Sequence, residues 1–204
     1  MRTPSWRNGR VVCVGAAVLL ALAHSAPSAA EGEHDRMIRG GPFSLVAHTG
    51  REVTDRDFRG KFMLIYFGYT SCPDVCPLGL QVVSEAMRAL AEQEDRVQPL
   101  FISFDPSRDT VERLAHYLHR FHPRILGLTG TKEQTLAAAN AYGVNVSAAY
   151  AEKPRGYSMN HSSFTYLVGP DGRLRLMFRD GVSPRAMADA IRKQLGSQPQ
   201  TAAE

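Results

Sequence analysis

Cysteine is scarce in this 204-residue chain, which has only Cys13, Cys72 and Cys76. Three thiols cannot build the multi-bridge framework of a small secreted scaffold. Excess charge is scarce as well. The formal net charge is +4, yet Arg2, Arg7 and Arg10 supply three of those charges, and residues 1–30 contain no Asp or Glu. Residues 31–204 carry 21 basic and 20 acidic side chains, so the body offers no electrostatic case for a nucleic-acid partner. No apolar run reaches the roughly 20 residues that span hydrocarbon, and there are no internal repeats. What remains is 44% hydrophobic and 22% charged residues, the mix of a packed globular protein rather than a disordered one. The length suits one domain.

The first thirty residues read as an address. Three arginines precede an apolar run over residues 11–23, and small residues follow to Ala30. A basic region, a short apolar region and small residues before a cut are the layout of a secretory leader. An uncleaved anchor begins the same way, but this run is too short to span and ends at His24. Cleavage after Ala30 is therefore expected, with Cys13 removed. The domain plan is a leader over 1–30, a polar lead-in over 31–41, one domain over 42–196 and a polar tail over 197–204. The mature protein then works outside the cytoplasm with two cysteines, whose redox state becomes part of its chemistry.

Hydrophobic periodicity predicts alternating strands and helices. Residues 43–47 and 52–54 read as a hairpin around Gly50. The continuous apolar run 62–67 suits a strand buried on both faces. A helix is expected over 77–94 with Pro77 at its first position. A strand over 97–104, entered after Pro99, follows. Asp109 is the expected cap of a helix over 110–121. Residues 131–134, Thr-Lys-Glu-Gln, form a capping-box pattern for a third helix ending at Gly143. A strand over 163–168, a turn and a strand over 173–178 come next. Ser183-Pro184 opens a last helix ending near Leu195. The order implies an α/β fold: a thioredoxin-like central sheet flanked by helices, with an N-terminal β-hairpin and an inserted helix.

The chemistry concentrates in Cys72-Pro73-Asp74-Val75-Cys76-Pro77. Both thiols follow a buried strand and precede a helix, at the sheet end where open α/β folds place their sites. A helix N-terminus favours thiolate, which is both nucleophile and metal ligand. Thioredoxin-type redox motifs have two residues between the cysteines, and this one has three. A structural zinc site needs four ligands, more than two cysteines supply without several histidines. Two thiolates and one imidazole instead form a low-coordination set that suits copper(I). His161, between a Pro/Gly-containing loop and the strand from residue 163, is the candidate third ligand; the alternative is a histidine that caps a strand end. His116, His119 and His122 spread over roughly 120° of a helix at 100° per residue, and read as solvated positions. His34 and His48 receive no role. Met37 and Met159 read as filling rather than ligation. Asp105 lies on the rim of the cysteines, either orienting a neighbour, contacting a partner, or making a turn and cap.

Together these segments resemble the Sco/SenC copper-chaperone family. The matching pieces run from Gly60-Lys61 and Tyr66-Phe67-Gly68-Tyr69-Thr70 through the cysteine segment. They continue with Asp105-Pro106-Ser107-Arg108-Asp109, Tyr117, Gly127-Leu128-Thr129-Gly130, His161-Ser162 and Tyr166-Leu167. The resemblance implies a thioredoxin-like fold holding copper on Cys72, Cys76 and His161. It also implies a part in building the binuclear copper centre of cytochrome c oxidase. Asn160 stands where the family usually has an acidic residue. No proline immediately precedes the strand after His161, unlike thioredoxin-like oxidoreductases. The implied protein is a monomeric periplasmic metallochaperone rather than an enzyme. Its partner is the copper-site subunit of the oxidase, with a periplasmic copper donor or thiol reductase as a further partner. A thiol–disulfide reductase acting on that subunit's cysteines, and a peroxiredoxin-like peroxidase, are the alternatives; a Cys72–Cys76 disulfide would remove both sulfur ligands.

Overall fold

The computed structural model describes residues 40–144 and 164–197. The expectations for the leader with Cys13, for His34, Met37 and Met159, and for the candidate ligand His161 lie outside the described residues.

Strands β1 (Ser44–Ala47) and β2 (Glu52–Thr54) form the expected hairpin, turning at Gly50, whose φ is +84°. Strand β3 (Phe62–Gly68) is buried at every position, as an unbroken apolar run requires. Helix α1 (Val75–Leu90) crosses over to β4 (Val97–Ser103), which lies parallel to β3. Helix α2 (Val111–Leu118) leads to β5 (Leu126–Thr129), parallel to β4. Helix α3 (Lys132–Ala141) follows. Strands β6 (Phe164–Val168) and β7 (Leu174–Arg179) form an antiparallel pair, and β6 runs antiparallel to β3. Helix α4 (Pro184–Gly196) closes the described chain. Among the described residues seven strands make one sheet in the order β2-β1-β5-β4-β3-β6-β7. A parallel β3/β4 pair, the antiparallel β6/β7 hairpin beside it and helices in the crossovers constitute the thioredoxin-like core. The first hairpin and β5 extend its other edge.

Strand alternation sends neighbouring aromatics to opposite faces. Tyr66 stacks on Phe101 with ring centroids 6.4 Å apart, and Phe101 meets Tyr117 of α2 at 5.9 Å. Phe67 instead meets Tyr142, just past α3, at 5.5 Å and Tyr166 at 5.9 Å. Helix α1 also packs on α4.

Several expectations need correction. Helix α1 starts at Val75, so Pro77 is its third residue and Cys76 lies inside its first turn. Proline fits there because the first four N–H groups of a helix have no partner in the helix. The helix ends at Leu90, and residues Ala91–Arg96 continue as a 3₁₀ turn. Strand β4 begins two residues before Pro99. Pairing with β5 starts only at Leu100, and the Gln98 side-chain amide donates to the Pro99 carbonyl at 3.1 Å. Thr110, not Asp109, caps α2, with its hydroxyl accepting the Arg113 N–H. Strand β5 escapes the pattern search altogether. It is four residues long and contains Gly127, where a Cβ would lie 2.4 Å from a Leu118 methyl. His122 is buried rather than solvated: its Nδ1 accepts the Arg124 N–H at 3.3 Å, and its Nε2 lies 3.3 Å from Glu94. His48 does have a role. Its N–H donates to the Gly127 carbonyl at 2.8 Å and its Nδ1 accepts the Gly127 N–H at 2.9 Å, tying the first hairpin to β5. Among the described residues, no helix is long and apolar enough to cross a membrane.

Candidate metal centre

The site begins where β3 runs out of room. A Cβ on Gly68 would sit 2.7 Å from the Phe101 ring and 3.0 Å from Cys76 Sγ, so only glycine lets the strand end this close to the sulfur. The chain then turns through residues 69–74. Tyr69 is buried against Phe104, with ring centroids at 5.6 Å, and its carbonyl accepts the Cys72 N–H at 3.3 Å. Helix α1 begins at once after Asp74, whose side chain makes no cap hydrogen bond. A sulfur takes the position instead: the Cys76 N–H donates to Cys72 Sγ at 3.4 Å. From beneath, the Tyr66 hydroxyl donates to the Val75 carbonyl at 3.2 Å. A Cβ on Gly79 would lie 2.5 Å from the Tyr66 ring, so that glycine admits the tyrosine under the helix.

The loop is held from the side by a carboxylate. Asp109 is fully buried and accepts the Thr70 N–H at 2.9 Å, the Thr70 hydroxyl at 2.5 Å and the Ser103 hydroxyl at 2.6 Å. Arg113 completes the clamp, donating from Nε to Thr70 Oγ1 at 2.7 Å and from its terminal nitrogen to Ser71 Oγ at 3.0 Å. Sequence reasoning misses this function of Asp109, because a Ser/Thr/Asp before an amphipathic run looks like a cap. Asp105 makes a local turn: it accepts Ser107 Oγ at 2.8 Å, pairs with Arg108, and its carbonyl accepts the Asp109 N–H.

Cys72 and Cys76 are not joined in a disulfide, and come together across this turn. Cys76 is completely buried while Cys72 is 7% exposed. Burial pushes the Cys76 thiol well above its usual range, and the neighbouring Cys72 raises it further, while the Tyr69 N–H and Tyr66 act in the opposite direction. An isolated Cys76 thiolate is therefore costly, and a soft cation bonded to it supplies the missing compensation. Two sulfurs without a described carboxylate between them fit a soft ion better than a hard one. Among the described residues no three His, Cys, Asp or Glu side chains converge on one point. His116 and His119 are exposed on α2 and just after it, and His122 is committed to Glu94 and Arg124.

The SCO1/SenC family model matches residues 31–196. The human protein described as "Protein SCO1 homolog, mitochondrial" is 42% identical over 180 residues, covering 82% of this chain and 59% of that protein. The chain spans only 56–62% of the human, bovine and murine relatives' length. Among solved structures, yeast Sco1 with copper bound is 37% identical with a TM-score of 0.73, covering 80% of this chain and 92% of that one. Bradyrhizobium japonicum ScoI with copper bound is 38% identical with a TM-score of 0.67, covering 76% and 98%. With its buried dithiol at the end of β3 and a family match across most of its length, the chain belongs to the SCO1/SenC family.

Proposed function

We propose that this protein is a copper carrier that works outside the cytoplasm and supplies the binuclear copper centre of cytochrome c oxidase. The observation that carries the reading is the pair of cysteine thiols meeting at one helix start, with Cys72 Sγ accepting the Cys76 N–H at 3.4 Å. Relatives solved with copper bound share this fold at 35–38% identity. Copper(I) is the cargo. Cys72 and Cys76 supply two thiolates and His161 the imidazole, a soft three-donor set. Loading expels the proton that burial keeps on Cys76. The ion leaves by stepwise exchange onto donors of the oxidase's copper-site subunit. The leader over 1–30 directs export to the periplasm, and residues 42–196 form the copper-binding unit.

Copper stoichiometry and competition affinity of wild type against His161→Ala and Cys72→Ser test this. The expected result is one tightly held copper(I) in wild type and a loss of at least about tenfold in affinity in each variant, the scale on which metal sites respond even to lesser changes. Unchanged tight binding in either variant refutes the ligand set. The proximity of the two thiols also favours a second reading, a reductase for the acceptor's own cysteines. That reading needs no imidazole, so His161→Ala would leave it intact while abolishing copper delivery.

A further inference from the structure

The flank of the cysteine loop opposite β6 is a basic groove. It holds about 820 Å³, with Cys72 and Pro73 in its lining together with Arg108, Arg113, His116 and Arg120. Glu112 is the one carboxylate in that lining. Arg108 is engaged by Asp105, and Arg113 by Thr70, Ser71 and, at 3.8 Å, the buried Asp109 carboxylate, so both serve the loop. Arg120 is different. It is exposed, lies over the Tyr117 ring at 5.4 Å, and makes no ion pair among the described residues. Tyr117 lines the same groove, is 7% exposed, and its buried hydroxyl has no hydrogen-bond partner among the described residues.

The other flank is apolar. Val75 and Leu78, in the first turns of α1, are 42% and 56% exposed, the large hydrophobic side chains left open among the described residues. They border a groove of about 210 Å³ lined also by Tyr66, Gly79, Val82 and Met187. A small anion would use only the basic flank. A polypeptide that crosses Cys72 would use both.

We propose that this surface docks an acidic segment of a protein partner, which presents a sulfur donor to Cys72. Carboxylates of the segment pair with Arg120 and the outer faces of Arg108 and Arg113, and an apolar residue covers Val75 and Leu78. The proposal rests on Cys72 being the accessible sulfur of the proposed copper site, and it names the chemistry of the partner.

The test uses the reduced full-length protein and two peptides of equal length. Each carries one cysteine as a mixed disulfide with 2-thiopyridine, flanked by Glu in one and Lys in the other. The Cys72 thiol gives its proton to water, its thiolate forms an S–S bond to the peptide sulfur, the peptide–pyridine S–S bond breaks, and pyridine-2-thiolate leaves with the electron pair and takes up a proton on nitrogen to give pyridine-2-thione. The expected result at low salt is a rate about tenfold higher for the Glu peptide, within the range of electrostatic steering, and a ratio that shrinks as salt rises. In the double variant His116→Glu, Arg120→Glu the Glu-to-Lys rate ratio falls to about one or inverts, each rate being divided by the same protein's rate with neutral dipyridyl disulfide so that any change in Cys72 reactivity cancels. Equal rates for the two wild-type peptides overturn the proposal. So does the same preference shown in full by a small dicarboxylate disulfide over its diamine counterpart, which would make the groove a small-anion site. Copper stoichiometry is measured separately, so failure of the metal reading leaves a different signature from failure of the groove.

Discussion

Asp109 takes hydrogen bonds from a backbone N–H and two hydroxyls while fully buried. Each of those donors serves the loop that carries Cys72 or the strand beside it. Asp109→Ala strands three donors, at roughly 1–3 kcal/mol for an unsatisfied buried group. We expect a loss of about 3 kcal/mol in urea unfolding, and a copper affinity weakened with Cys72 and Cys76 unchanged. Asp109→Asn should recover part of both, since an amide oxygen still accepts but its NH₂ faces a donor. An Asp109→Ala protein with wild-type stability and copper affinity would show that the loop holds itself. This residue also marks a limit of sequence reading. The cysteine pair was legible because its spacing and its place after an apolar run carry the chemistry locally. Asp109 acts on Thr70, 39 positions away, and no local pattern encodes that pairing.

The elements show the same division. Helices α3 and α4 follow their caps: Thr131 and Gln134 exchange both hydrogen bonds of the capping box, and Ser183 accepts the Ala186 N–H ahead of Pro184. Strands β3 and β4 follow their apolar runs. Strand β5 was illegible because four residues with a glycine carry no period, and its place depends on β4 and on His48 from the hairpin. Helix α1 was misjudged at both ends, because its start is set by sulfur and its finish by backbone. At that finish Ala91 has φ +51° and ψ −124°, a conformation that suits glycine. Ala91→Gly should therefore stabilise the protein by about 0.5–1 kcal/mol, against the usual direction of Ala→Gly changes. Thermal unfolding decides it: a lower Tm would mean that the backbone relaxes at this residue.

For the whole molecule, two histidines link stability to pH. Burial lowers the pKa of His122 below 6.5, with Glu94 opposing, and burial likewise lowers that of His48, with the Gly127 contact opposing. Both are held neutral, and both accept a backbone N–H on Nδ1. The unfolded chain then binds more protons in mildly acid solution, so stability is complete above about pH 6.5 and declines as pH falls below it. Thermal unfolding from pH 7.5 to pH 5 should show a falling Tm, and His122→Asn should flatten part of that slope. A Tm independent of pH in this window would mean that neither imidazole is kept from its proton.

The sheet order has one more consequence, which concerns growth. Among the described residues the outer strands are β2, only three residues long, and β7, which carries Arg175 and Arg179. A short strand offers little length to template on, and two copies meeting along β7 would oppose guanidinium to guanidinium. Fibril-like stacking is discouraged on both sides.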